Sequence, residues 1–169
     1  MKSSNRFALL ATVVVALSSL STGAFAASAP GNASATVITP ITITTGATLN
    51  FGSFAPHPTA AGTVVITAAN ARSATGGIVL PPASSGANGT FTIGGAAGMT
   101  YSISAPATFS VALTGAPSMV VTLSGIGTTG TLVGTTQTYP FGGSLAVASA
   151  ATQLPGTYVG SFSMVVEYN

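Results

Sequence analysis

The stretch Gly156-Thr-Tyr-Val-Gly-Ser-Phe-Ser-Met-Val-Val-Glu-Tyr168-Asn169 decides how this chain is read. Tyr158, Phe162, Met164, Val166 and Tyr168 fall on one parity, interrupted by Gly160. Side chains alternate across an extended strand, so this parity predicts a long strand over 156–168 with one apolar face. The other parity is mixed: Thr157, Val159, Ser161, Ser163, Val165 and Glu167. An apolar face of that length has to be covered by something, and the function turns on what covers it.

Upstream, short apolar runs recur between glycine and proline punctuation. Gly62–Thr67 is a β-branched run that reads as a buried strand. Thr90–Ile93, Met99–Ser104, Phe109–Leu113, Met119–Leu123, Thr131–Val133 and Leu145–Val147 read as further strands, with shorter ones at Leu49–Gly52 and Ile78–Leu80. Ala68–Ala71 is the one place where a short helical turn is expected. From Ala33 the odd positions are mostly apolar (Ala33, Ala35, Val37, Ile41, Ile43), which predicts a strand, or two joined at Pro40, because proline cannot donate to a ladder. Many strands of four to eight residues with no helix of ten predict an all-β sandwich or barrel.

The first residues are of another kind. Met1-Lys2-Ser-Ser-Asn-Arg6, the apolar run Phe7–Leu17 and the small-residue exit Ala24-Phe25-Ala26 read as a secretory signal peptide cut after Ala26. The run's eleven residues fall short of the ~20 that a membrane span needs, so no stable membrane span is expected. Domain organisation is then a signal over 1–26 and one domain over 27–169, with a short extension at 27–39.

Charge is almost absent. The chain has three Lys or Arg and one acidic residue. Lys2 and Arg6 lie in the signal, which leaves Arg72, Glu167 and the lone His57. A basic surface for nucleic acid is therefore excluded. General acid–base chemistry needs a titratable group with a partner, and no spacing pairs His57 with Glu167, so the chain is read as no enzyme. His57, flanked by Pro56 and Pro58, reads as a loop residue, and Arg72 as a solvated side chain. One His and one Glu cannot fill a metal site, and no cofactor is expected. Zero cysteines exclude disulfides and thiol chemistry. The polar surface is hydroxyl and amide, and a near-neutral chain of this kind associates readily.

Pro155-Gly156-Thr157-Tyr158-x-Gly160-x-Phe162, then Val165-Val166-x-Tyr168-Asn169 at the chain end, resembles the final strand of secreted bacterial pilin-type subunits of the chaperone–usher pathway. Leu49-Asn50-Phe51-Gly52 and Gly142-Gly143-x-Leu145 are similar to spore-coat-U-like proteins. The resemblance covers nearly all of 33–169. It departs from many pilins in having no cysteine pair, and its leading segment is short and alanine-rich. It implies an immunoglobulin-like sandwich lacking its last strand. It further implies that Gly156, Tyr158, Phe162, Met164, Val166 and Tyr168 border an open groove read by a periplasmic chaperone. Ala33, Ala35, Val37 and Ile41 would then be the donor strand that fills a neighbour's groove. The function so implied is a non-enzymatic structural subunit of a pilus, fimbria or surface fibre. Its partners would be copies of itself or related subunits, a periplasmic chaperone and an outer-membrane usher, and its place the periplasm in transit and then the cell surface. The residues leave two alternatives open: a self-contained surface or coat protein in which 33–43 pairs with its own sheet, and a carbohydrate-binding adhesive module.

Overall fold

The computed structural model describes residues 25–169. The signal expected over 1–26 falls almost wholly outside the described residues. Two units are present. Residues 25–36 carry no helix or strand. The second unit, Val37–Asn169, carries the strands.

This unit is all-β. Its strands are β1 (Thr42–Thr45), β2 (Gly62–Ile66), β3 (Arg72–Ala74), β4 (Gly89–Gly94), β5 (Thr100–Ser104), β6 (Thr108–Val111), β7 (Met119–Ser124), β8 (Thr129–Thr131), β9 (Thr136–Val147) and β10 (Val165–Tyr168). All pairings are antiparallel. The larger sheet runs β1-β4-β9-β2-β3, with β7 also on β9 and β6 on β7; the smaller runs β10-β5-β8. The long strand β9 organises the larger sheet: residues 136–141 pair with β4, and 142–147 pair with β2 and β7.

The alternation of apolar residues places the core. Ile93 and Phe91 from β4, Phe141 from β9, Tyr101 and Ile103 from β5, Leu132 and Met164 form one buried cluster drawn from both sheets, as in a β-sandwich. Val64, Met119, Val121, Leu145 and Val147 form a second, covered by Leu49, Phe51, Phe54, Ile78 and Leu80 from the loops. The stretches read as strands at 49–52 and 78–80 are thus loop coverings. They hold by isolated bridges, Asn50 to Ala87 and Ala55 to Val79.

The segment 156–168 keeps its predicted parity and loses its predicted continuity. Tyr158 packs on the second cluster, while Phe162, Met164, Val166 and Tyr168 pack on the first. Only 165–168 form a strand, paired with β5. Earlier, Val159 makes an isolated bridge with Ala112, just past β6 on the larger sheet, through two backbone bonds of 2.8 and 3.0 Å. The segment therefore passes from one sheet to the other. Gly160 permits the approach, because a Cβ there would strike the Ser110 carbonyl. Phe162 fills the crossing: its ring centre lies 4.9 Å from Phe109, 5.6 Å from Phe141 and 6.0 Å from Phe91. The apolar face packs largely on the chain's own core, and Phe162 and Met164 in addition line an open slot described below.

With so little charge, hydroxyls satisfy half-buried backbone groups. Tyr168 Oη accepts from the Ala96 N–H at 2.6 Å, and Tyr139 Oη from the Gly127 N–H. Gly95, Gly127 and Gly130 leave room for the hydroxyls of Tyr168, Tyr139 and Tyr101. Burial, and then the neighbouring Tyr139, push the Tyr101 phenol above its ordinary range.

Two other expectations are corrected. The 68–71 segment is a hairpin turn between β2 and β3, with Asn70 at φ +63° and bonds between Thr67 and Ala71. Asparagine tolerates that left-handed conformation, which a helical turn does not use. Arg72, expected to be solvated, is half-buried. It donates to the carbonyls of Ser53 (2.7 Å) and Ser84 (2.6 Å), tying together the two loops that cover the second cluster.

Phe162→Ala should cost about 3 kcal/mol in urea unfolding, as for other core phenylalanines. Val165→Ala, on the outer face, should stay within about 0.5 kcal/mol. Equal effects at the two positions would contradict the crossing. Arg72→Ala should lose about 2–4 kcal/mol, because charged hydrogen bonds are worth roughly 1.5–3 kcal/mol each. Arg72→Lys should recover less than half of that loss, because an ammonium lacks the planar fork that reaches two carbonyls.

Candidate functional site

Two strand edges meet without pairing. Among the described residues β10 has one strand neighbour, β5, with Tyr168 opposite Tyr101 and Val165 opposite Ser104. Likewise β1 has one, β4, with Thr42 opposite Gly94 and Thr45 opposite Phe91. Each strand therefore presents a free row of backbone donors and acceptors on its other side.

Beside them, between β1 and residues 162–164 that lead into β10, lies a slot of about 230 Å³, lined by Ile43, Thr45, Phe91, Phe162, Ser163 and Met164. Its floor is apolar: Met164 and Phe91 are buried, and Ile43 and Phe162 half-buried. Thr45 and Ser163 stand at its rim, both exposed. At the other end the two edges are tied together, because Tyr168 Oη donates to the Thr39 carbonyl at 2.9 Å. The start of β1 thus meets the end of β10, and Ile43 and Thr45 meet Phe162–Met164. The two strands run antiparallel past one another.

Of the residues expected to donate a strand, Ile41 is half-buried and packs on the chain's own core. It is not free to leave. Val37 is 96% exposed. Ala33 and Ala35 lie within 25–36, outside any strand. The strand predicted from Ala33 therefore begins nine residues later, at Thr42, after the break at Pro40. On the other segment, Phe162 and Met164 line the slot, and Tyr168 ties its end. Gly156 and Tyr158 lie elsewhere: Gly156, at φ +151°, meets Leu113, and Tyr158 donates to the Leu154 carbonyl at 2.8 Å. Ile43, Thr45, Phe91 and Thr39 were not foreseen as parts of a site. The alternation Ile41, Ile43 carried a hint of one wall.

The titratable side chains are not gathered at the slot. His57 Nδ1 accepts from the backbone N–H groups of Ala60 (3.1 Å) and Thr59 (3.3 Å), a loop-capping role. Glu167 sits on the exposed side of β10, opposite Ser102. A second cavity, of about 390 Å³, opens between Ile103–Ala107 and Leu123–Thr128, with only hydroxyl and backbone groups as polar lining.

No curated protein and no solved structure matches the chain. A family model described as "Domain of unknown function (DUF4402)" matches residues 41–168, which takes in both edges of the slot. The chain belongs to that family.

Proposed function

We propose that this protein is a non-enzymatic, exported structural subunit of a surface fibre, and that its subunits join by donation of a strand into the slot beside β1 and the segment leading into β10. The sandwich is read as immunoglobulin-like with one strand missing at this seam. The observation that carries the reading is the pair of unpaired edges over an apolar floor of Phe91, Phe162 and Met164.

The energetics favour main-chain pairing. β1 and β10 are four residues each, so a partner of four or five residues spans them. An extended peptide added to a sheet edge gains affinity from backbone bonds and specificity from alternate side chains. Each net backbone bond contributes roughly 0.5–1.5 kcal/mol. Val37, if fully buried, adds about 1.5–3 kcal/mol, and the small side chains of Ala33 and Ala35 add less. A joint of this kind draws on the ladder more than on the floor. A chaperone that holds the edges before assembly, and an usher that orders the subunits, would be the accessory partners.

Near-zero charge over 27–169 fits a subunit that ends in an assembly, since little repulsion opposes close association. Exported protein run in SDS without boiling should form a ladder of multimers that boiling collapses to one band. A single monomer band in unboiled material would contradict the proposal.

A further inference from the structure

The ribbon formed by β5 and β6 against β7 and β8 turns a corner. On one side β5 pairs with β8 in the smaller sheet, and on the other β6 pairs with β7 in the larger. The backbone bonds nearest the corner run from Ile103 N–H to the Thr128 carbonyl, 2.8 Å, and from Leu123 N–H to the Ala107 carbonyl, 2.9 Å. Between them stand three residues on one strand, 104–106, and four on the other, 124–127. A mismatch of one residue is a β-bulge, which bends a ribbon and leaves part of its ladder unpaired. Gly125, on the longer side, sits at φ +78°. No backbone bond joins 104–106 to 124–127.

The cavity of about 390 Å³ lies in this parting. Its volume falls in the roughly 300–1,000 Å³ range of small-molecule sites. Ile103, Ala105, Leu123 and Ile126 make its floor, and all four belong to or pack on the first core cluster. Ser104, Ser124 and Thr128, all exposed, bring hydroxyls to the rim. One wall is also held by a side chain, since the Gly127 N–H donates to Tyr139 Oη. The two strands are thus bonded at both ends of the opening before any ligand arrives, which lowers the ordering cost of binding.

The lining narrows the ligand. It carries no charged residue, so a phosphate, carboxylate or ammonium group would be desolvated there without a counter-charge. It carries no aromatic ring, so a flat aromatic ligand finds no stacking partner. Hydroxyls and backbone groups above an aliphatic floor suit a neutral ligand that gives and accepts hydrogen bonds at its edge and presents C–H groups on its face. A neutral pyranose ring has that build. We infer that the bulged corner between 103–107 and 123–128 is a binding site for the neutral terminal sugar ring of a glycan. The inference is independent of strand donation, because no residue lining the slot lines this cavity. Binding by one copy should be weak, on the order of millimolar, since about a dozen heavy atoms without charge contribute.

Methyl glycosides of neutral hexoses and N-acetylhexosamines, with a sialylated glycoside as the charged comparison, would be offered to the folded protein and read by saturation-transfer NMR. At least one neutral glycoside should receive saturation, and the sialylated one should not. Ala107→Trp and Ser124→Trp each set a bulky ring at the rim from an exposed position, where the fold should persist. Each should weaken binding at least about tenfold, because the space that holds the ring is filled. Val133→Trp, at an exposed residue that does not line the cavity, should leave binding unchanged. Saturation of no neutral glycoside, or a preference for the sialylated one, would overturn the inference. Binding that survives both rim variants would overturn its placement at this corner.

Discussion

The ring of Phe162, set among Phe91, Phe109 and Phe141, fixes the course of the segment from 156 to 168. Aromatic groups in such offset and edge-on contacts contribute beyond their buried area, and a chain without tryptophan leans on them. With Phe162 between the sheets, the backbone before it must run beside Ala112 and the backbone after it beside β5. Most of the apolar face is taken up by the core, and Phe162 and Met164 keep one side towards the slot. The outer edges of β10 and β1 stay without a strand partner. Covering most of the face and leaving the edges follow from the same crossing.

The scarcity of charge shapes everything around that crossing. A buried N–H without a partner is costly, and ionic groups are not at hand to help. Tyrosine hydroxyls take the part, with glycines beneath them to make room. Tyr168 carries a double load, since it closes the β4–β5 turn at Ala96 and ties Thr39 to the end of β10. Arg72 is the exception. Its guanidinium joins two loops by their carbonyls, which lets irregular chain cover the second cluster.

Much of the sheet structure was legible in alternation. Residues 62–67, 90–93, 99–104, 109–113 and 119–123 read as strands because one parity is apolar and the punctuation is clear, and each overlaps a strand of the fold. The inward face of 156–168 was legible for the same reason. Its interruption was not, because parity reports which side is buried and is blind to a change of sheet; Gly160 was the clue, and its meaning lies in the nearness of Ser110. The segment 33–41 alternates as a strand does, yet alternation alone gives it no neighbour. Leu145–Val147 read as a short strand of its own, yet it is the end of β9, which runs unbroken from Thr136 because each half has its own partners. Arg72 was misread because nothing local marks the distant carbonyls it serves. The slot itself is a property of which edges go unpaired, and that is decided by topology.

Hydrogen exchange at residues 42–45 and 165–168 tests the open seam most directly. In an antiparallel strand alternate amides point to opposite sides. In the isolated subunit every second amide of β1 and β10 should therefore exchange quickly while its neighbours are held by β4 and β5. In assembled material the fast set should become slow, in both strands together. Full protection of both strands in the isolated subunit, or no change on assembly, would contradict the account.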